Sequence, residues 1–175
     1  QWTRFRMVIP SATENSDVTR VLSSVTDPRI GGPQRRSLDV ALGLRKRNIQ
    51  TEFLIPEGDD EFAEAVAEKG FETHRITLSR LRPPGRVRGN IRFVADFYPT
   101  VREISSLIET RSIDAVHANM VVNFQTALAT ARTDVPLAWH FNDTLTPSPI
   151  KQVAAFAGRR WADEIVVAAD AVHDY

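Results

Sequence analysis

The chain contains no cysteine among its 175 residues. Disulfides, thiolate metal sites and a cysteine nucleophile are therefore excluded, and a reducing compartment fits. Long apolar runs are missing too: none approaches the ~18 residues that span a bilayer, and no secretory leader pattern is visible. Neither sign of charge is in excess, because 22 basic residues balance 22 acidic ones. That balance argues against a general nucleic-acid binder. Several signatures of chemistry are also lacking. There is no Gly-x-Ser-x-Gly elbow, no Walker loop, no HxH or HExxH spacing, and no Gly-x-Gly-x-x-Gly directly after a strand. A hydrolase triad on that elbow and a dinucleotide fingerprint are thus disfavoured. His117, His140, Asp114 and Asp143 lack metal-ligand spacing, so no metal is expected.

One shortage is local. From Thr73 to Ala95 no acidic residue occurs, while Arg75, Arg80, Arg82, Arg86, Arg88 and Arg92 all fall there, interleaved with Leu78, Leu81, Pro83, Pro84 and Val87. This is either a solvated face, some of it pairing with the acidic stretch Glu57 to Glu72, or a surface for an anionic lipid or acceptor. Arg82, Arg86 and Arg88 are its candidate contacts.

What remains is ordinary globular material, 42% hydrophobic and 25% charged, long enough for one domain with a proper core. Arg4 to Pro10 reads as a first strand, followed by a long polar connection from Ser11 to Arg29. Pro33 to Arg47 reads as a helix closed by the basic run Arg45-Lys46-Arg47. Strands are expected at Ile49–Ile55, Phe71–Leu78, Ile113–His117, Val135–His140 and Glu164–Ala168. Helices are expected from Asp59-Asp60 to Lys69, from an Asn90 cap to about Arg111, at Val121–Arg132, at Pro149–Trp161 and from Asp170. In the long third helix, Ile91, Val94, Val101, Ile104, Leu107 and Ile108 form the expected apolar stripe, and Pro99 marks a kink or break. Six strands alternating with helices predict an α/β fold, a doubly wound and mostly parallel sheet with helices on both faces.

In such sheets ligands bind at the carboxyl ends of the strands. Three features are expected there. Gly31-Gly32-Pro33 opens the first helix, where the glycines permit φ > 0 and close backbone approach, and free N–H groups suit a phosphate or carboxylate. His117 closes the fourth strand and His140 the fifth. A neutral imidazole at either place can donate to a sugar hydroxyl or accept from one. His173 reads as a surface residue.

The ordered set of these pieces resembles the N-terminal domain of family-4 glycosyltransferases of the GT-B fold. The motifs are Gly31-Gly32-Pro33-Gln34-Arg35 with Leu38, Ala41, Leu42 and Leu44; the strand Gln50 to Pro56; Ile113 to Asn119; Val135 to Asp143; and Trp161 to Ala169. The resemblance implies a Rossmann-like half of a GT-B enzyme. Such an enzyme moves a sugar from a nucleotide-diphosphate donor to a glycan, lipid or small-molecule acceptor, with retention at the anomeric carbon and without a metal. It places Gly31, Gly32 and Arg35 in the donor-phosphate or acceptor loop. It gives His140 the catalytic position against the donor sugar, and puts His117, Asn119 and Asp143 on the acceptor side. It implies no cofactor in this domain beyond the nucleotide-sugar co-substrate, and no nucleic-acid partner. The chain's own C-terminal, nucleotide-binding domain would lie outside these residues, so this stretch alone is expected to be inactive. A cytoplasmic location, peripheral at the inner membrane face, is the corresponding expectation. The same scaffold also fits a non-catalytic glycan- or anion-binding module, or half of a nucleotide-sugar epimerase.

Overall fold

The computed structural model describes residues 18–79, 87–142 and 146–167. Six parallel strands form one sheet: β1 (Thr19–Ser24), β2 (Ile49–Pro56), β3 (Glu72–Ile76), β4 (Ala115–Asn119), β5 (Leu137–Phe141) and β6 (Glu164–Val167). Their spatial order is β3-β2-β1-β4-β5-β6. Five helices connect them: α1 (Gly32–Arg45), α2 (Glu61–Glu68), α3 (Val87–Thr110), α4 (Phe124–Thr130) and α5 (Ser148–Trp161). This is the doubly wound, Rossmann-like arrangement, and the strand order reverses between β1 and β4.

Side-chain alternation along the strands divides the core into two layers. Leu22, Leu54, Val116, Ala118 and Trp139 face α3, α4 and α5 through Ile104, Ile108, Phe124, Ala127 and Ala154. Phe53, Ile55 and Val25 face the other way, onto α1 and α2 through Ala41, Phe62 and Val66. Because Trp139 and Val116 point into the first layer, their neighbours His140 and His117 lie on the α1 face.

The sheet differs from the sequence reading chiefly at its centre. Arg4–Pro10 lies outside the described residues, and the stretch read as polar connection contains β1. Its polarity concealed it. Ser23 and Ser24 are both buried, and the Ser24 hydroxyl is paired with Thr126 Oγ1 at 2.8 Å and receives a hydrogen bond from Asn123 Nδ2 at 3.1 Å. Only six residues separate Ser24 from Gly31, so the glycine turn follows the central strand closely. The third helix begins before Asn90, which sits inside it rather than capping it, and it continues through Pro99 to Thr110. Its first half also faces differently: Phe93 is buried and packs edge-on to Phe97, whereas Ile91 and Val94 are 64% and 74% exposed. The aromatic rings bury more apolar area than the β-branched residues would, so they set the phase. The helix expected over Val121–Arg132 is the shorter α4, and β4 runs on past His117 to Asn119. Residues Ala168 to Tyr175, including His173 and the last expected helix, lie outside the described residues.

At the amino ends of the strands a charged cluster closes the sheet. Glu52 is fully buried on β2, and accepts from His74 Nε2 at 2.7 Å and from Arg111 Nε at 3.0 Å. Burial alone would raise the Glu52 pKa, but the Arg111 and His74 hydrogen bonds and charges bring it below the ordinary carboxylate value. Glu52, Glu72 and His74 bring three ligand-type atoms within 4.8 Å of one another. Arg111 donates to both carboxylates, however, so the cluster is satisfied by a cation of the chain itself.

Candidate functional site

The loop after β1 is fixed before it reaches the first helix. Asp27 accepts from Arg29 through its backbone N–H and guanidinium, Gln34 Nε2 donates to the Asp27 carbonyl at 3.0 Å, and Phe62 N–H reaches the Pro28 carbonyl at 3.3 Å. The loop is thus held to both α1 and α2. Gly31 is the N-cap of α1, with no side-chain cap and no acidic residue in the first turn, so the positive helix end keeps its N–H groups unclaimed by side chains. The glycines do not serve the conformation expected of them. Gly31 is extended at φ −144°, which any residue adopts, but a Cβ there would lie 3.0 Å from Gln34 Oε1, so this glycine does serve a close approach; no heavy atom lies within 4 Å of a Cβ placed on Gly32. Together they also leave the helix end bare of side chains.

The helix is then locked to the sheet by a buried polar contact. Asn119 Nδ2 donates to Ser37 Oγ at 2.7 Å, and that hydroxyl donates to the Pro33 carbonyl at 2.9 Å. Asn123 Nδ2 in turn reaches the Asn119 carbonyl at 3.1 Å. The carboxyl ends of β1 and β4, the first turn of α1 and the start of α4 therefore form one hydrogen-bonded unit.

Beside this unit stand both histidines. Their ring centroids are 5.7 Å apart, and Arg36 Nη2 lies 3.3 Å from His140 Nδ1. Burial and then the Arg36 charge lower the pKa of both rings to about 4, with His117 adding to the effect on His140. Both imidazoles are neutral at physiological pH. Several buried side-chain atoms here have no hydrogen-bond partner: His140 Nε2, Asn119 Oδ1, Asn123 Oδ1, and both amide atoms of Asn142. Ser23 Oγ, in register with His117 on the adjacent strand, shares that condition, and among the described residues Thr51 Oγ1 is the other. Buried polar groups are rarely left so. Their concentration at the ends of β4 and β5 marks an edge whose polar side-chain atoms are left unclaimed by the rest of the described chain.

The structure brings together Gly31, Gly32, His117, Asn119 and His140. Arg35 is exposed, and its neighbour Arg36 is the arginine that meets His140. Asp143, Arg82 and Arg86 lie outside the described residues, and Arg88 is exposed at the start of α3. Sequence reading missed Arg36, Ser37 and Asn142. Helix phase could have found the first two, since the buried positions Gln34, Ser37 and Ala41 fix the face of α1. Two surface cavities of about 410 and 260 Å³ lie at the opposite, amino-terminal edge, one beside Val135, Pro136 and Asp163, the other beside Gln50, Thr51 and Glu72. Neither touches the histidines.

The family described as "Glycosyl transferase 4-like domain" matches residues 31–173. The chain belongs to that family. No curated protein sequence matches this glycosyltransferase 4-like domain. Solved structures do share its fold. MurG of Acinetobacter baumannii superposes with a TM-score of 0.61 at 16% identity, over 86% of this chain and 41% of that one. A putative UDP-N-acetylglucosamine 2-epimerase from Listeria monocytogenes gives 0.64 at 12% identity, over 90% and 41%. The UDP-GlcNAc 2-epimerase of Neisseria meningitidis, solved with UDP-GlcNAc bound, gives 0.54 at 14%, over 89% and 48%. At these identities the likeness establishes the fold, which is that of one half of the GT-B enzymes. The glycosyltransferase 4-like domain spans less than half the length of each of these proteins.

Proposed function

We propose that this domain is the acceptor-side half of a retaining glycosyltransferase that takes its sugar from a nucleotide-diphosphate donor. Family membership supports transfer, and the bound nucleotide sugar in a fold neighbour supports the donor class. The observation that carries the reading is His140: nine-tenths buried at the end of β5, neutral, and with Nε2 unpartnered. Glycosyl transfer passes through an oxocarbenium-like state while negative charge grows on the departing phosphate. The open N-terminus of α1 would meet that charge with backbone N–H groups, and His140 would hydrogen-bond a sugar oxygen. His117, Asn119 and Asp143 are assigned to the acceptor side. The donor nucleotide is assigned to a second domain of the same polypeptide, so residues 1–175 alone are expected to be inactive.

Product analysis with the complete polypeptide tests this. A nucleotide sugar incubated with candidate acceptors is expected to yield free nucleoside diphosphate and a glycosylated acceptor of retained anomeric configuration. Conversion to the epimeric sugar without an acceptor would replace the reading with an epimerase. Glycan binding with no turnover would replace it with a binding module.

A second surface bears on where the acceptor lies. Arg88, Ile91, Val94, Tyr98 and Arg102 fall along one exposed stripe of α3, and Arg132 stacks over Tyr98 at 5.7 Å. Exposed apolar and basic groups in one line suit peripheral contact with an anionic membrane; no helix among the described residues is long and apolar enough to cross one. Sedimentation with vesicles rich in anionic lipid should fall severalfold when Ile91 and Val94 are changed to Asp. Undiminished sedimentation of that variant would remove this contact.

A further inference from the structure

The contact between Arg36 and His140 has a chemical consequence beyond charge. A guanidinium carries five N–H donors and no acceptor. At 3.3 Å from Arg36 Nη2, His140 Nδ1 therefore takes part as the acceptor, with its lone pair. A neutral imidazole holds one proton, which must then sit on Nε2. We propose that Arg36 is a positioning residue that holds His140 in its Nε2–H tautomer, so that the ring meets a bound ligand as a hydrogen-bond donor and not as a base. This rests on the reading of the β4–β5 edge as the ligand site.

The surroundings enforce the arrangement. Arg36 precedes Ser37, whose hydroxyl is tied to Asn119 Nδ2 and to the Pro33 carbonyl, so the first turn of α1 cannot slide along the sheet. Asn119 and His140 are register partners on adjacent strands. The same bonds that fix the helix therefore fix the reach from Arg36 to the ring. On the far side of the ring, Nε2 is buried and without a partner. An N–H left so is costly in a folded protein, and an incoming oxygen offsets the cost. A sugar hydroxyl or ether oxygen is such an acceptor. A base at Nε2 would need the other tautomer, and that would set an Nδ1–H against the guanidinium donors. The arrangement separates two roles that a lone histidine leaves open.

The tautomer can be read directly. In the complete protein, labelled with ¹⁵N only in its histidine rings, the His140 signals are assigned by their loss in His140→Gln. The expected pattern is a protonated, pyrrole-type Nε2 and an unprotonated, pyridine-type Nδ1, in a single tautomer. Arg36→Met should convert this into a mixture of tautomers, whereas Arg36→Lys, still a pure donor, should retain Nε2–H. A protonated Nδ1 in the wild type overturns the proposal, and so does an unchanged pattern in Arg36→Met. Should Arg36→Met fail to fold, Arg36→Gln replaces it, because an amide accepts as well as donates and releases the constraint. The spectrum does not depend on turnover. Its failure would leave the transferase reading standing, and failure of the transfer assay would leave the tautomer standing.

Discussion

His140 and His117 are ordinary titratable rings placed where protonation is expensive. Each has a pKa of about 4 in the fold against an ordinary 6.5. Between those values the unfolded chain binds more protons than the native one, so stability is full above 6.5 and is lost as pH falls toward 4. Each ring accounts for up to about 3 kcal/mol at the acid end. Urea unfolding should therefore give a markedly lower midpoint at pH 5 than at pH 7.5, and His117→Gln with His140→Gln should flatten that dependence. An unchanged dependence in the double variant would place the acid sensitivity elsewhere. At this scale the sequence was partly legible. His117 and His140 each follow a short apolar run in the carboxyl half of a strand, and that pattern is visible without coordinates, although β4 continues past His117 to Asn119. Arg36 is not visible in the same way: it differs from Arg35 by one position, and only the phase of α1 decides which of the two reaches the ring.

Among the elements, the buried strands that carry continuous apolar runs were readable and the polar one was not. β2, β4 and β5 announce themselves by Phe53-Leu54-Ile55, Val116 and Leu137 to Trp139. β1, the centre of the sheet, ends in two buried serines; Thr126 of α4 and Asn123 at its cap supply partners to Ser24, and such partners cannot be seen in the chain itself. The same holds for Glu52, a carboxylate in the middle of a buried strand. Glu52→Gln should lower stability by about 2 kcal/mol, less than for a wholly enclosed pair, because the Arg111 side chain is about one-third exposed. Its nucleotide-sugar turnover should be unaffected at permissive temperature, since the cluster lies at the opposite end of the strands. Ser37→Ala tests the other edge. It removes the acceptor of Asn119 Nδ2 and should cost about 1–3 kcal/mol, read from chemical denaturation, together with a drop in turnover as the first turn of α1 loosens. Equal stability in that variant would mean that the Ser37 contact does not anchor the helix.

At the scale of the whole molecule, the strand order puts the switch between β1 and β4 under the first turn of α1, and the histidines beside it. That coincidence is why a glycine turn with an unremarkable conformation still reads as part of a site. The overall class was legible because strands and helices alternate. The reach of the fold was less so, since a half-enzyme and a self-sufficient binding domain share the same pattern. In the proposed enzyme the β4–β5 edge handles the sugar. The decisive comparison is kcat/KM for sugar transfer by the complete polypeptide, wild type against His140→Ala, with both proteins shown to melt cooperatively. Loss of a transition-state hydrogen bond to a buried donor should lower kcat/KM about 10²-fold or more. Transfer at the wild-type rate by a folded His140→Ala protein would place sugar recognition elsewhere.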